Sequence, residues 1–251
     1  MCLIAVAWLA HPRFDIVIAA NRDEFRARPT HPARFWPEHP ELLAGRDLVA
    51  GGTWLGVTKR GRFAALTNIR DPARMTPTPR SRGELVLGRL IDDVPSYPKE
   101  NYGGYNLLWG NLEENAFYFD GNRDGQEPSR LAAGVFGLSN GALDESWPKT
   151  SALKQRMSDL LTDPALDREA LSIGLFEALA ARGMFPDDAL PDTGIGLERE
   201  RVLSSVFIDS PDYGTRSSTV VIADRDGTVM FEERTFDAPG NISRHVFNYR
   251  P

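Results

Sequence analysis

The chain opens with Met1-Cys2-Leu3-Ile4-Ala5-Val6-Ala7-Trp8-Leu9, which is followed by an apolar run from Phe14 to Ala20 and by Asn21-Arg22-Asp23-Glu24. Two short apolar runs interrupted at His11-Pro12 predict two strands joined by a tight turn. This pairing would bring Cys2, the only cysteine of the chain, close to the charged cluster at the end of the second strand. If Met1 is removed, Cys2 carries a thiol and a free α-amine, so one residue supplies both a nucleophile and its base.

Composition is that of a globular protein. The 251 residues are 25% charged and 41% hydrophobic, and we predict a single domain over residues 1–251. The net charge of −6 comes from interspersed acids and bases, which argues against a nucleic-acid partner or an anionic membrane surface. The opening apolar run is too short for an integral membrane segment and lacks the positive start of a secretory signal. We therefore predict a cytoplasmic protein; the oligomeric state does not follow from the sequence.

The order of strands, helix, strands, helices and strands predicts an α+β fold with antiparallel sheets and segregated helices. A capping box, Ser81 with Glu84, predicts a helix start, and two stripes of leucines at helical spacing predict two further helices, in 153–161 and 171–179. The proline- and glycine-rich stretches 25–40, 71–79 and 183–196 are predicted to be loops. The predicted strands are 1–9, 14–20, 54–58, 63–68, 105–110, 116–120, 134–138, 205–208, 217–223 and 228–236.

Five short motifs occur in a specific order: the Met-Cys-Leu-Ile start, Asn21-Arg22-Asp23-Glu24, Gly51-Gly52-Thr53-Trp54-Leu55-Gly56, Thr67-Asn68 and Gly137-Leu138-Ser139-Asn140. This set resembles the NRDE protein family, also called the transport and Golgi organisation protein 2 family, over residues 1–236. That family is similar to cysteine-type N-terminal-nucleophile (Ntn) hydrolases such as penicillin V acylase and bile salt hydrolase. The resemblance implies an Ntn-hydrolase-like four-layer αββα sandwich with two mostly antiparallel sheets.

The resemblance also implies roles for residues near the start of the chain. Cys2 would be the nucleophile, Asp23 would hold its α-amine, and Arg22 would stabilise the thiolate and depress the pKa of the thiol. Because adjacent strand residues point to opposite faces, one of this pair would face away, and Asn21 and Glu24 are alternative candidates that we also assign to substrate binding. The structural alternatives are a buried Cys2 that packs as a small hydrophobe and a strand-end turn built by Asn21 and Asp23.

Later parts of the chain supply further candidates. By the same resemblance, Asn140 and Asn68 would bind the oxyanion of an acyl-transfer transition state, and Arg216 matches a late arginine of the acylases. Trp54 would form the apolar wall of a substrate pocket. The alternatives are a turn-forming Asn68 and a solvated Arg216.

Two hypotheses follow. The first is an Ntn-type amidohydrolase that cleaves a non-peptide linear C–N amide bond of an acylated small molecule. The second is a non-catalytic protein that binds or traffics haem, acyl-CoA or a lipid, since the family has been linked to haem trafficking and lipid metabolism. No cofactor is predicted, and the scattered histidines show no metal-ligand spacing; they are His11, His31, His39 and His245.

Overall fold

The chain divides into two compact units in a computed structural model that describes residues 2–74, 77–92, 94–123, 126–238 and 241–250. The first unit comprises Met1–Ala27 and Ala133–Arg250, and the second comprises Arg28–Ala132. The single domain over residues 1–251 stays a prediction. The elements in chain order are β1 (Cys2–Trp8), β2 (Phe14–Phe25), β3 (Thr30–Trp36), β4 (His39–Asp47), β5 (Leu55–Thr58), β6 (Arg62–Asn68), α1 (Gly83–Leu90), β7 (Tyr105–Asn111), β8 (Ala116–Gly121), β9 (Ser129–Arg130), β10 (Gly134–Leu138), α2 (Pro148–Leu160), α3 (Arg168–Leu179), α4 (Leu197–Ser204), β11 (Tyr213–Asp224), β12 (Val229–Ala238) and β13 (Asn241–Tyr249).

The first unit is built on a sheet with the strand order β10-β1-β2-β11-β12-β13, and every neighbouring pair is antiparallel. Alternation along these strands gives the sheet one face that packs on helices α2 and α3. The buried residues of this core come from the odd positions of β1 and β2, the even positions of β11, and the leucine stripes of the two helices; they include Leu3, Ala5, Val17, Ala19, Val220, Ile222, Leu153, Met157, Leu171 and Leu175. The predicted helical stripes therefore have the expected core role.

The second unit is built on a sheet with the order β3-β4-β5-β6-β7-β8-β9, again with antiparallel neighbours. Helix α1 packs on it through Val86 and Leu90, which join a buried cluster with Leu42, Leu66 and Leu107. Two antiparallel sheets with four α-helices, counted over the described residues, make an α+β fold, which confirms the predicted class.

The prediction of an irregular loop over 25–40 was wrong, because this stretch contains the end of β2, strand β3 and the start of β4. Its prolines are compatible with strands at these positions. Pro32 lies where the β3–β4 register shifts between His31 and Arg34, and β3 is the edge strand of its sheet. Edge strands and bulges tolerate a residue that cannot donate a backbone hydrogen bond.

In the segment before β11, one prediction was wrong and one helix was not predicted. Residues 205–208 do not form a strand. The Phe207 N–H donates to the carbonyl of Ala181 (2.8 Å), so this segment is bonded to the residues just after the end of α3. The stretch preceding it contains helix α4, which the sequence pattern did not indicate because Leu197 and Val202 are exposed rather than part of an apolar stripe.

The predicted capping box at Ser81 does not form. The Ser81 hydroxyl accepts from the Gly83 N–H (3.4 Å), whereas the Glu84 carboxylate pairs with Arg80 (2.6 Å). Helix α1 accordingly begins at Gly83. Across the described ranges, no helix is long and apolar enough to cross a membrane.

Strand β13 is held to the sheet by a buried carboxylate. Glu232 on β12 accepts two hydrogen bonds from Arg244 of β13 (2.8 and 2.9 Å) and one from Arg234 (3.0 Å). Burial alone would raise the pKa of Glu232, but these hydrogen bonds from the two arginines lower it, and the net direction is down. The carboxylate therefore stabilises the folded state only while it is ionised.

The Glu232→Gln variant tests whether the ionised carboxylate of Glu232 stabilises the folded state. A lowered folded-state pKa gives stability that is present above the unfolded value of about 4.3 and is lost as the pH falls through the folded-state value. We expect the melting temperature of the Gln variant to fall less than that of the wild type when the pH is lowered from about 5 to about 3. Parallel curves for the two proteins over this range would contradict the assignment.

Candidate active site

The register of β1 and β2 determines what surrounds Cys2. Cys2 lies directly opposite Arg22, and Leu3 lies opposite Asn21. Directly opposed residues of antiparallel strands share a face, so Cys2 and Arg22 lie on the face away from α2 and α3, whereas Leu3 packs towards these helices. Both Cys2 and Arg22 are buried. The sequence-predicted pairing of the thiol with this arginine is thus present in the structure.

Asp23 lies one residue beyond the Cys2–Arg22 pair, next to the N-terminal side of Cys2. Its carboxylate is buried and its Oδ1 accepts from the Thr215 hydroxyl (2.7 Å), while its backbone carbonyl accepts from the Tyr213 hydroxyl (2.9 Å). Its backbone N–H contributes a hydrogen bond to the Cys2 thiol. Asp23 therefore contacts the candidate nucleophile through its backbone and acts on it through its charge.

The ionisation of Cys2 depends on opposing influences. Burial raises the pKa of the thiol, and the Asp23 carboxylate adds to this rise; the Arg22 guanidinium and the hydrogen bond from the Asp23 backbone lower the pKa, but the net direction is up. The effect of Arg22 has the expected sign, but desolvation outweighs it in the chain that retains Met1. A depressed thiol pKa in the Met1-free chain stays a prediction. A thiol in this state needs a base in order to react.

Asn21 connects three segments of the first unit. Its Nδ2 donates to the carbonyls of Leu179 (2.9 Å) and Val206 (2.8 Å), and its Oδ1 accepts from the Ser218 hydroxyl (2.6 Å). The side chain is fully buried. These contacts give Asn21 a structural role between β2, the end of α3 and β11; its part in substrate binding stays a prediction.

Asn140 follows β10, which is the other neighbour of β1. It is fully buried, and its Oδ1 accepts from the Ser139 hydroxyl, which also lies 3.3 Å from the Cys2 carbonyl oxygen. Ser139 thus links the loop that carries Asn140 to the backbone of Cys2. Sequence reasoning singled out Asn140 but missed Ser139, although both belong to one motif.

Two further candidates flank this centre. The half-buried Arg216 donates from Nη1 to the backbone carbonyls of Phe25 (3.0 Å) and Arg26 (2.7 Å). Glu24 is half-buried, and its Oε1 accepts from the N–H of Phe25 (2.8 Å). Both side chains organise the chain immediately after Asp23, and their catalytic and binding roles stay predictions.

The remaining two candidates belong to the second unit. Asn68 ends β6 and lies opposite Tyr105 of β7. Trp54 precedes β5, and its ring covers Gly45 so closely that a Cβ there would lie 2.3 Å from a ring carbon. Their roles as oxyanion donor and pocket wall stay predictions. Among the residues described, no group of three or more His, Cys, Asp or Glu side chains could hold a metal ion.

Comparison with known proteins now identifies the family. The model of the Transport and Golgi organisation 2 family matches residues 1–238. The chain belongs to this family. It is 38% identical to the Transport and Golgi organization protein 2 homolog of Bos taurus over 94% of the chain and 93% of that protein, and 36% identical to the Homo sapiens homolog with the same coverage. The resemblance stated from the sequence motifs is confirmed.

Solved structures give the fold. A Cys-to-Ala mutant of conjugated bile acid hydrolase from Clostridium perfringens matches with a TM-score of 0.54 at 8% identity, covering 100% of this chain and 97% of that one. The Caenorhabditis elegans ortholog of N-acylethanolamine-hydrolyzing acid amidase matches with a TM-score of 0.51 at 11% identity, covering 88% and 92%. Both are Ntn hydrolases, and the chain shares their fold class.

The opposite charges of Asp23 and Arg22 should have opposite effects on the reactivity of Cys2, which two variants can test. Asp23→Asn removes a charge that raises the pKa of the thiol, and Arg22→Gln removes one that lowers it. At a fixed pH below the thiol pKa, we expect iodoacetamide to alkylate Cys2 about two- to tenfold faster in the first variant and slower by a similar factor in the second, since one pKa unit changes the thiolate fraction tenfold. The rates are followed by intact mass in chains that retain Met1.

The same reaction in urea serves as the control, because the charges no longer have fixed positions and the three proteins should react alike. A change of the same sign in both folded variants would indicate that the substitutions open the structure rather than change the ionisation of Cys2.

The role of Asn21 is tested by its stability. Asn21→Ala removes three buried hydrogen bonds and leaves their partners unpaired, so we expect a loss of roughly 3 kcal/mol or more in the free energy of unfolding. Asn248→Ala, an exposed asparagine on β13, should change it by only about 0.5 kcal/mol. Urea denaturation measures both, and equal losses would count against the structural role.

Proposed function

We propose that the chain is an Ntn-type amidohydrolase that cleaves a non-peptide linear C–N amide bond of an acylated small molecule after Met1 has been removed. The observation that carries this proposal is the β1–β2 register, which pairs Cys2 with Arg22 and puts the buried Asp23 next to the N-terminal side of Cys2. A nucleophile, a cation and an anion are thereby arranged around one residue.

Removal of Met1 would supply the base that the buried thiol needs. It creates an α-amine on Cys2, on the side of the strand pair where Asp23 lies. Such an amine has an ordinary pKa of about 7.7–8.0 and accepts a proton near neutral pH. In the proposed reaction the Asp23 carboxylate orients this amine, which takes the thiol proton as the sulfur attacks.

The remaining steps follow from acyl-transfer chemistry. The sulfur forms a bond to the carbonyl carbon, and the electron pair of the C=O bond moves to the oxygen, where the Asn140 amide supplies N–H donors. The C–N bond then breaks, and the leaving amine takes the proton that the α-amine holds. Water, deprotonated by the α-amine, hydrolyses the resulting thioester, which releases the acid and restores the thiol.

The names of the fold relatives suggest a substrate class. One hydrolyses conjugated bile acids and the other N-acylethanolamines. In the second case an acyl group is joined through an amide to a small amine. We extend this class to the present chain as a proposal: an amide between an acyl group and a small polar amine.

Turnover distinguishes this proposal from the alternative of a non-catalytic haem, acyl-CoA or lipid carrier. Catalysis needs interactions that strengthen in the transition state, whereas a carrier needs only ground-state affinity. We expect Met1-free protein to hydrolyse an N-acylethanolamine and to form a thioester adduct, and Cys2→Ala to do neither. Asn140→Ala should lower turnover by about 10²-fold or more while substrate affinity changes little.

Asn248→Ala provides the control, because this exposed side chain lies on the edge strand β13. If Met1-free wild type, verified by intact mass, turns over no N-acyl amide and yet binds haem or acyl-CoA tightly, the carrier hypothesis replaces the hydrolase.

A further inference from the structure

Thr215 on β11 lies directly opposite Asp23 of β2. Its hydroxyl donates to Asp23 Oδ1 at 2.7 Å and accepts from the backbone N–H of Ile208 at 3.0 Å. All three residues are buried, with at most 1% of their surface exposed. The hydroxyl thus connects a fixed backbone donor to the candidate carboxylate.

The two contacts determine where the hydroxyl proton points. A threonine hydroxyl has one proton and can accept through its oxygen lone pairs. Because the Ile208 N–H occupies the acceptor side, the proton is directed to Asp23. A hydrogen bond donated to a carboxylate favours the ionised form, and it also limits rotation of the carboxylate about its own bond.

Side chains on either side of Thr215 bond the backbone of Asp23 and of the residues that follow it. The Tyr213 hydroxyl donates to the Asp23 carbonyl, and Arg216 donates to the two carbonyls that follow Glu24 along the chain. The β2–β11 register shifts between Thr215 and Ser217, so Arg216 is the extra residue of a bulge. Bulges are frequent next to active sites, where they redirect side chains.

We propose that Thr215 is a positioning residue that fixes the orientation and charge of Asp23 for the reaction at Cys2; this inference rests on the proposed function. Thr215 acts through the carboxylate and contacts none of the reacting atoms. Sequence reasoning missed it because a threonine within Gly214-Thr215-Arg216 is an ordinary strand residue by pattern. Its position opposite Asp23 becomes visible only through the pairing of two strands about 190 residues apart.

The test is a double-mutant cycle on processed, Met1-free protein, with the pH profile of Cys2 alkylation by iodoacetamide as its readout. Asp23→Asn removes the negative charge near the thiol and should move the profile to lower pH. Thr215→Val should move it in the same direction by roughly half a pH unit, a fraction of the one to three units that a neighbouring charge produces. In the Asp23→Asn background, Thr215→Val should produce no further shift.

Thr215→Ser retains the hydroxyl and should restore the wild-type profile. Thr219→Val removes a buried hydroxyl four residues further along β11, opposite Ala20 rather than Asp23, and should leave the profile unchanged. Thr215→Ala is a second hydroxyl-free variant in case the valine does not fit, and melting temperatures confirm that each protein is folded.

Turnover of an N-acylethanolamine is measured separately, where Thr215→Val should lower kcat about tenfold with KM nearly unchanged. If the Met1-free wild type shows no turnover, the proposed function is refuted. The alkylation cycle would still show whether Thr215 acts on Cys2 through Asp23. The inference is overturned if the valine and serine variants shift the profile alike, or if the valine shifts it equally with and without Asp23.

Discussion

The arrangement around Cys2 depends on the register between three antiparallel strands. Strand side chains alternate between faces with a period of two, so a slip of one residue between β1 and β2 would move Arg22 away from the thiol and turn the apolar residues of β2 away from the helices. The observed register is stabilised by apolar packing and by buried hydrogen bonds of β2 residues. The apolar residues Val17 and Ala19 pack with α2 and α3, and the amide of Asn21 bonds the end of α3 and β11. The motif that holds the candidate chemistry therefore also holds the sheet in register.

Burial and charge act against each other at the nucleophile. Arg22 favours the thiolate, but the loss of water around Cys2 and the Asp23 carboxylate favour the thiol, and these two together prevail. Cysteine enzymes that rely on a pre-formed thiolate place the sulfur in an electropositive and partly exposed setting. The present setting suits a different route, in which the proton leaves only as a base removes it. An α-amine on the same residue is suited to this role because it is present wherever the sulfur is.

The parts of the fold that the sequence predicted are those with strong local signals. The apolar runs of β1 and β2, the leucine stripes of α2 and α3, and the pairing of Cys2 with the charged block all follow from periodicity. Strand β3 was missed because Pro32 and the prolines on either side of the strand indicate a loop unless its place at a sheet edge is known. The run Val206-Phe207-Ile208 has the composition of a strand, yet its backbone bonds the segment after α3 and the side chains of Asn21 and Thr215. A short apolar run cannot reveal such partners.

The same reasoning applies to the candidate site. Cys2, Arg22 and Asp23 are adjacent in the folded chain because β1 and β2 are consecutive paired strands. The opening motif and the Asn21–Glu24 motif were therefore sufficient to predict that they lie together. Ser139 approaches the Cys2 carbonyl from the segment that follows β10, and Thr215 bonds the Asp23 carboxylate from β11. Both contacts depend on the pairing of distant strands, and the sequence around Ser139 and Thr215 does not indicate which residues they contact.

The burial of Cys2 has a consequence for how readily its sulfur is oxidised. Oxidants such as peroxide attack the thiolate, and oxidation to sulfenic and sulfinic acids follows thiolate character and exposure. With 8% of its surface exposed and its pKa raised, Cys2 is shielded on both counts. Both features slow oxidation of the sulfur, and the chain has no second cysteine with which Cys2 could form an intramolecular disulfide.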